Sequence, residues 1–136
     1  RRFGSQSIVL SIEAKKINNK KWEIFTHNGR QETNIDVIEW SKRMSENGAG
    51  EILITSVDME GTRKGFDFDL ISEVTNTVKV PVIASGGFGH PEHMVKAFND
   101  SSVNAIAIAD ALHFKRYSIK DIKKFGLEKK LKLRIF

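Results

Sequence analysis

The chain contains no cysteine among its 136 residues. This absence excludes a disulfide framework, a thiolate-bound zinc or iron–sulfur site and a cysteine nucleophile, because each of them requires a thiol sulfur. Long apolar runs are also missing, since no stretch approaches the roughly 20 residues that span a bilayer. Nor is Arg1-Arg2 followed by the apolar segment of a signal peptide. We therefore expect a cytoplasmic protein without a membrane partner.

The charge is unbalanced towards basic residues, with 22 Lys and Arg against 17 Asp and Glu and a net charge of +5. A basic balance suggests nucleic acid, but its distribution argues against that partner. Nine of the 22 basic residues lie after residue 114, where apolar residues recur between them and only Tyr117 and Phe125 interleave as aromatic residues, too few for a base-stacking pattern. This pattern favours the solvated face of a last helix followed by an extended tail. We expect no nucleic-acid binding.

Short apolar runs alternate with amphipathic stretches along the chain. Apolar runs rich in β-branched residues predict buried strands at residues 7–12, 51–56, 80–85 and 104–109. Helices are predicted from Asn34 or Asp36 to near Gly48, over residues 67–76, from Pro91, and from about Ser118. Apolar and polar side chains alternate over residues 22–27, and Asn28-Gly29 follows them. This pattern predicts a small hairpin after the first strand.

Four β–α units in succession predict a parallel sheet with right-handed crossovers. Two architectures fit this order, an open doubly wound sheet and part of a (β/α)8 barrel. Polar and glycine-rich residues gather directly after each strand, and both architectures place ligands at the carboxyl ends of parallel strands. The sequence therefore predicts one functional face without choosing between the two.

Three features on that face suggest chemistry, and each has a purely structural alternative. Residues 85–89, Ser-Gly-Gly-Phe-Gly, indicate either phosphate binding by backbone N–H groups before a helix or a tight turn. The loop 56–65 has the acids and hydroxyls to hold a phosphorylated substrate, or it is a solvated turn. Glu13 is a candidate general acid or base beside Lys15, or one half of a strand-end salt bridge. His90 and His93 lack a third metal partner, so we expect no metal and no cofactor.

Several motifs in order resemble one family. They are residues 3–6 (Phe-Gly-Ser-Gln), 12–15 (Ile-Glu-Ala-Lys), 48–62 (Gly-Ala-Gly-Glu through Glu-Gly-Thr), 83–89 and His113-Phe114. Over residues 3–126 the chain resembles the carboxyl-terminal half of the cyclase subunits of imidazole glycerol phosphate synthases. The resemblance implies a (β/α)8 barrel built from two half-barrels, of which residues 1–136 would be the second half and the amino-terminal half would be absent.

The resemblance also implies an activity in histidine biosynthesis. A glutaminase partner would supply ammonia, which reacts with a phosphoribulosyl-formimino-aminoimidazole carboxamide ribonucleotide. The products are imidazole glycerol phosphate and an aminoimidazole carboxamide ribonucleotide. Two catalytic Asp residues serve the family, and Glu13 stands where the second is found. The first belongs to the other half-barrel, so we expect this chain alone to be inactive and to need that half or a second copy of itself.

Site residues follow from the same resemblance, position by position. Substrate and phosphate contacts would come from Lys15, Asn28, Thr55, Glu60, Gly61, Thr62, Ser85, Gly86, Gly87, Ala109 and Asp110. Gln6 and Glu51 would line the ammonia path, Glu51 at the end that faces the glutaminase.

Two positions depart from the family's pattern. Glu13 replaces Asp and extends the carboxylate by one methylene, and a misplacement of about 1 Å can cost about 10²-fold in rate. Asp110 replaces Ser, and its carboxylate would repel a dianionic phosphate. The turn at residues 26–29 resembles cyclase-like proteins that pass ammonia to surface-sugar amidotransferases, where both departures would be tolerated because cyclisation is no longer needed. A half-barrel that only assembles with a partner is a third, non-enzymatic possibility.

Overall fold

Six strands and five helices follow one another in the computed structural model, which describes residues 4–134. The strands are β1 (Val9–Asn18), β2 (Lys21–Thr26), β3 (Gln31–Asp36), β4 (Glu51–Ser56), β5 (Val82–Ser85) and β6 (Ala105–Ile106). The helices are α1 (Val37–Glu46), α2 (Phe68–Thr77), α3 (Pro91–Asp100), α4 (Asp110–His113) and α5 (Ile119–Glu128), and a 3-10 turn covers Ser5–Ser7. Arg1, Arg2 and Phe3, which carry part of the sequence motifs, lie outside the described residues. Within residues 4–134, every helix falls short of the length and apolar character that crossing a bilayer requires.

All six strands form one sheet in the order β3-β2-β1-β4-β5-β6. The strands β1, β4, β5 and β6 run parallel, and β2 and β3 extend the sheet beyond β1 as antiparallel strands. Each parallel strand is followed by a helix. The predicted α/β class, the four β–α units and the small hairpin after the first strand are therefore confirmed.

The two faces of the sheet differ in composition and in cover. Alternate side chains of the parallel strands, such as Ile12, Ile54 and Ala84, are at most 1% exposed and form the core with the helices. The intervening side chains, which include Glu13, Leu53, Thr55, Ile83 and Ser85, lie on the opposite face and are only partly covered. Helices on one face of four parallel strands and a mixed polar and apolar face on the other are what half of a (β/α)8 barrel presents.

The sheet keeps free hydrogen-bonding edges within the described residues. On one side β1 pairs with β4 from Val9 onwards, but on the other side its pairing with β2 begins only at Glu13. β6 pairs with β5 alone. Unpaired edges of this kind are templates for further strands, so the first part of β1 and the outer side of β6 can accept neighbours.

Several boundaries differ from those that the sequence predicts. β1 continues to Asn18 instead of ending at residue 12, because its second half pairs with β2 in a hairpin whose turn holds Lys20 at positive φ. β5 starts at Val82 instead of residue 80, and β6 covers two residues instead of 104–109.

The last segment also differs from its prediction. The tail after α5 is not simply extended into solvent, since Leu131 is 9% exposed and its backbone N–H bonds the carbonyl of Gly126.

Four of the five helices, α4 being the exception, begin at residues whose side chains cap them. Asp36 accepts hydrogen bonds from the N–H groups of Ile38 and Glu39 and so starts α1, which decides between the two predicted caps in favour of Asp36 over Asn34. Asp67 caps α2 through Leu70. Asp36 thus joins β3 directly to α1, and Asp67 fixes where the loop after β4 ends.

Candidate functional site

Three polar side chains stand in one row across the parallel strands. Glu13 of β1 is in register with Thr55 of β4, and Thr55 is in register with Ser85 of β5. All three lie on the face opposite the helices and are half-buried. A carboxylate followed by two hydroxyls thus stands near the carboxyl ends of these strands, where parallel sheets hold their ligands.

Glu13 is held by the turn that joins β2 to β3. Its Oε2 atom accepts a hydrogen bond from the backbone N–H of Gly29 at 3.0 Å. Gly29 has φ of +74°, and a Cβ atom there would lie 2.5 Å from Cγ1 of Val57. The turn is therefore pressed against the loop after β4, and only glycine fits at the contact.

Lys15 and Asn28 flank this carboxylate on the same hairpin. The Lys15 ammonium lies 4.9 Å from the centre of the Phe25 ring, a cation–π contact across the two strands. Asn28 is exposed in the turn, next to Gly29, with φ of +59°. The sequence places these two residues at the substrate, and the structure puts them around Glu13.

In the loop between β4 and α2, some polar side chains stabilise the loop itself and one faces the candidate site. The Asp58 carboxylate accepts the backbone N–H of Lys16 at 2.7 Å and so ties the loop to the hairpin. The Thr62 hydroxyl donates to the carbonyl of Met59 at 2.8 Å, which closes the turn. Glu60 is the acid of this loop that faces the neighbouring cavity.

A cavity of about 110 Å³ lies between the ends of β4, β5 and β6. Its walls bring together seven of the predicted site residues, Glu60, Gly61, Ser85, Gly86, Gly87, Ala109 and Asp110, with Phe88, Ala107 and Ile108. Thr62, Thr55, Lys15 and Asn28 are not among the described residues that line it. The cavity is small enough for one phosphate group and too small for a whole nucleotide substrate.

Two glycines shape this cavity through their backbone. Gly86 and Gly87 have φ of +88° and +99°. A Cβ atom on Gly87 would lie 2.0 Å from the carbonyl oxygen of Gly65, and one on Gly86 would lie 2.7 Å from that of Ser56. The loops approach each other so closely that side chains are excluded, which leaves backbone N–H groups to meet an anion.

Two arginines meet at Asp110, and sequence reasoning missed both as site residues. Nε of Arg63 forms an ion pair with Oδ1 of Asp110 at 3.1 Å, and Nη1 of Arg116 donates a hydrogen bond to the same oxygen. Arg63 belongs to the loop 56–65, whose bases were a visible signal, but Arg116 lies in a basic stretch with no motif. The Asp110 carboxylate, expected to repel phosphate, is therefore paired with two cations.

The two residues predicted for the ammonia path lie at the other end of the strands. Glu51 begins β4 on the same face as Leu53 and Thr55, four residues before Thr55, which is about 13 Å along the strand. Gln6 is exposed in the 3-10 turn that precedes β1. The partly covered face of the sheet thus runs from Glu51 at one end to Thr55 at the other.

The two histidines near α3 serve the start of that helix. His90 is its N-cap, and Nδ1 of His93 accepts from the backbone N–H groups of Gly89 and His90. Burial lowers the pKa of His93, and the charges of His90 and Lys96 lower it further. Within residues 4–134 no three His, Asp or Glu side chains cluster closely enough to hold a metal ion.

Comparisons with known proteins agree on one family. A family model described as "Histidine biosynthesis protein" matches residues 1–118. The chain is similar to imidazole glycerol phosphate synthase subunit HisF of Prochlorococcus marinus (strain MIT 9312), with 47% identity over 136 residues. That alignment covers 98% of the chain and 53% of the relative, so the chain spans about half the length of the curated protein it matches.

Proposed function

Because the chain belongs to the histidine biosynthesis protein family, we propose that it is the carboxyl-terminal half-barrel of a cyclase subunit of imidazole glycerol phosphate synthase. In the complete barrel, ammonia would convert phosphoribulosyl-formimino-aminoimidazole carboxamide ribonucleotide to imidazole glycerol phosphate and the aminoimidazole ribonucleotide. A cytoplasmic location is part of the same proposal.

One observation carries this proposal. The carboxylate of Glu13 stands in register with Thr55 and Ser85, and Ser85 also lines the cavity that fits one phosphate group. A general acid or base must lie within hydrogen-bond reach of the atom it serves while the rest of the substrate is held fixed. In this proposal the row provides the general acid or base, and the neighbouring cavity holds the substrate through its phosphate.

The site residues then divide by role. Glu13 transfers protons during cleavage and cyclisation, opposite a carboxylate from the other half-barrel. Substrate is oriented by Lys15, Asn28, Thr55 and Ser85. Its phosphate is held at the cavity lined by Glu60, Gly61, Gly86, Gly87, Ala109 and Asp110, with Thr62 closing the adjoining turn.

The partners of the proposal are a glutaminase and the other half of the barrel. The free edges of β1 and β6 support pairing with strands of that half or, failing it, with a second copy. Ammonia would travel along the partly covered face of the sheet, from Gln6 and Glu51 to Glu13. Midway along this face the apolar residues Leu53 and Ile83 lie side by side, and they offer ammonia no proton donor.

Complementation of a histidine auxotroph that lacks its own cyclase subunit tests the proposal. We expect growth without histidine from the intact gene together with its glutaminase, and no growth from the Glu13→Gln variant. The purified protein should also form imidazole glycerol phosphate with ammonium salts in place of glutaminase. A folded protein that binds its glutaminase and fails both assays would refute the cyclase function.

The exchange of Asp for Glu at residue 13 favours a second candidate. The hydrogen bond from Gly29 holds the Glu13 carboxylate at the turn. A protein that passes ammonia to a surface-sugar amidotransferase would tolerate the carboxylate in this position. In that case glutaminase activity would rise with the amidotransferase and its sugar present, and Glu13→Gln would leave it unchanged. Under the cyclase function, the same variant lowers product formation.

A further inference from the structure

Asp110, Arg63 and Arg116 form a charged group at the rim of the cavity between β4, β5 and β6. The Asp110 side chain lines the cavity and is 21% exposed, while Arg63 and Arg116 are not among the described lining residues and reach the cavity through ion pairs with its Oδ1 atom. Arg63 comes from the loop after β4, and Arg116 follows α4. The carboxylate is therefore the point at which two separate segments of the chain bring positive charge to the same place.

We propose that Asp110 is a positioning residue that fixes Arg63 and Arg116 at the cavity, where the two guanidinium groups bind a dianionic phosphate monoester. The inference deepens the proposed function, since it concerns the phosphate end of the same site. It assigns the cationic part of that site to two arginines, and reverses the effect expected of Asp110 from its charge alone.

Both arginines are held in place by contacts besides the ion pair. The backbone of Arg63 has φ of +60° and lies against Gly89, where a Cβ atom would be 2.1 Å from the Arg63 carbonyl oxygen. The Arg116 guanidinium lies 4.7 Å from the centre of the Phe114 ring, and its Nη1 is 3.4 Å from the Asp110 carbonyl oxygen. These contacts fix the backbone of Arg63 and the side chain of Arg116 before any ligand binds, which lowers the entropic cost of binding.

The charges of the group are compatible with an anion as the ligand. Glu60 and Asp110 would give the cavity two negative charges, and Arg63 and Arg116 offset both of them. Each guanidinium has five N–H donors in a planar fork, so one carboxylate oxygen leaves most of them available. Their side chains are 48% and 31% exposed, which keeps them accessible to a ligand. Guanidinium groups bind phosphate through paired, charge-assisted hydrogen bonds.

The sign of the effect of Asp110→Asn separates positioning from simple repulsion. If Asp110 only repels phosphate, removal of its charge strengthens binding. If Asp110 positions the arginines, the same change releases both guanidinium groups and weakens binding, even though the site becomes more positive. Asp110→Glu keeps the charge and restores part of the affinity only under the positioning role.

A site-specific titration tests this. Glycerol 3-phosphate is added at pH 7.5, where a phosphate monoester is dianionic because its second pKa is about 6. The backbone amide signals of Gly86 and Gly87 are followed by NMR in the intact gene product. We expect saturable shifts, affinity about 10-fold weaker in Asp110→Asn, Arg63→Met and Arg116→Met, and no comparable loss in Lys115→Met. Glycerol, which lacks the phosphate, should produce no shift.

The proposal is overturned if glycerol 3-phosphate fails to shift these signals, if Asp110→Asn binds equally or more tightly, or if both arginine variants retain full affinity. Should Asp110→Asn fail to fold, the two arginine variants decide the question by themselves. The titration involves no cyclisation. Normal phosphate binding without cyclase activity would therefore refute the proposed function and leave this inference standing. Cyclase activity without phosphate binding at this cavity would refute this inference and leave the proposed function standing.

Discussion

The carboxylate of Glu13 accepts the backbone N–H of Gly29 across the hairpin, at 3.0 Å from Oε2 to N. This bond joins the row of polar side chains on the sheet to the turn between β2 and β3. An Asp at residue 13 would be one methylene shorter and would fall short of this bond at the observed backbone positions. The longer side chain therefore suits the local structure, and its second oxygen remains for proton transfer.

Replacement of Glu13 by Gln should remove proton transfer while keeping the bond to Gly29, because the amide oxygen still accepts. We expect ammonia-dependent turnover to fall by at least about 10², as for the loss of a general acid or base. Steady-state kinetics with ammonium salts measure this in the intact protein. Glu32→Gln, an exposed carboxylate of β3, is the matched control. Equal turnover in the Glu13 variant and the wild type would exclude Glu13 from the mechanism.

Replacement of Gly87 by Ala should disrupt the cavity. The new Cβ would lie 2.0 Å from the Gly65 carbonyl oxygen, and φ is +99°. We expect a loss in the free energy of unfolding of about 1–2 kcal/mol from the left-handed backbone and about 1–3 kcal/mol from overpacking. Urea unfolding measures it.

Gly61→Ala separates the two contributions. Gly61 has φ of +72° with nothing within 4 Å of a Cβ atom, so only the backbone cost applies there. If both alanine variants lose the same free energy of unfolding, the close approach of Gly87 to Gly65 does not contribute to stability.

Replacement of Trp22 by Phe should weaken the link between the hairpin and α2. Trp22 is 0% exposed, and its indole N–H donates to Oδ2 of Asp67 at 2.9 Å, while Oδ1 caps α2. Loss of this donor leaves a carboxylate oxygen short of a partner, which costs about 1–3 kcal/mol. Denaturant unfolding of Trp22→Phe and of the partly exposed control Trp40→Phe should show the greater loss at residue 22. The reverse order would contradict the assigned role of Asp67.

Local sequence patterns predict the parallel part of this fold well. The run at residues 51–56 matches β4, and Pro91 marks the first residue of α3, because apolar strands and helix starts depend on neighbouring residues. The second half of β1 escaped prediction. Residues 13–18 are mostly polar and become a strand only through pairing with β2, and such cross-strand contacts are not visible in a local window.

The same distinction applies to the candidate site. Gly86, Gly87 and the acids Glu60 and Asp110 are visible as motifs, and the structure places them around one cavity. Arg116 is one basic residue among nine in its part of the chain, and its partner Arg63 lies 53 residues earlier. Only the fold brings them to Asp110, so charge compensation at this position is a tertiary property.

His93 should make stability depend on pH. Burial, with the charges of His90 and Lys96, lowers its pKa below the ordinary value of about 6.5, so the unfolded chain binds its proton more readily than the folded one. Protonation also removes the Nδ1 acceptor of the Gly89 and His90 N–H groups. The stabilising contribution is therefore complete above about pH 6.5 and is lost as the pH falls through the lowered value.

His93→Gln should flatten this dependence, because the amide oxygen accepts the same N–H groups at every pH. Free energies of unfolding from urea titrations between pH 5 and pH 8 should therefore fall more steeply for the wild type than for the variant as the pH is lowered. His113→Gln, which alters an exposed histidine after β6, should leave the wild-type slope in place. Parallel curves for wild type and His93→Gln would show that His93 does not couple protonation to folding.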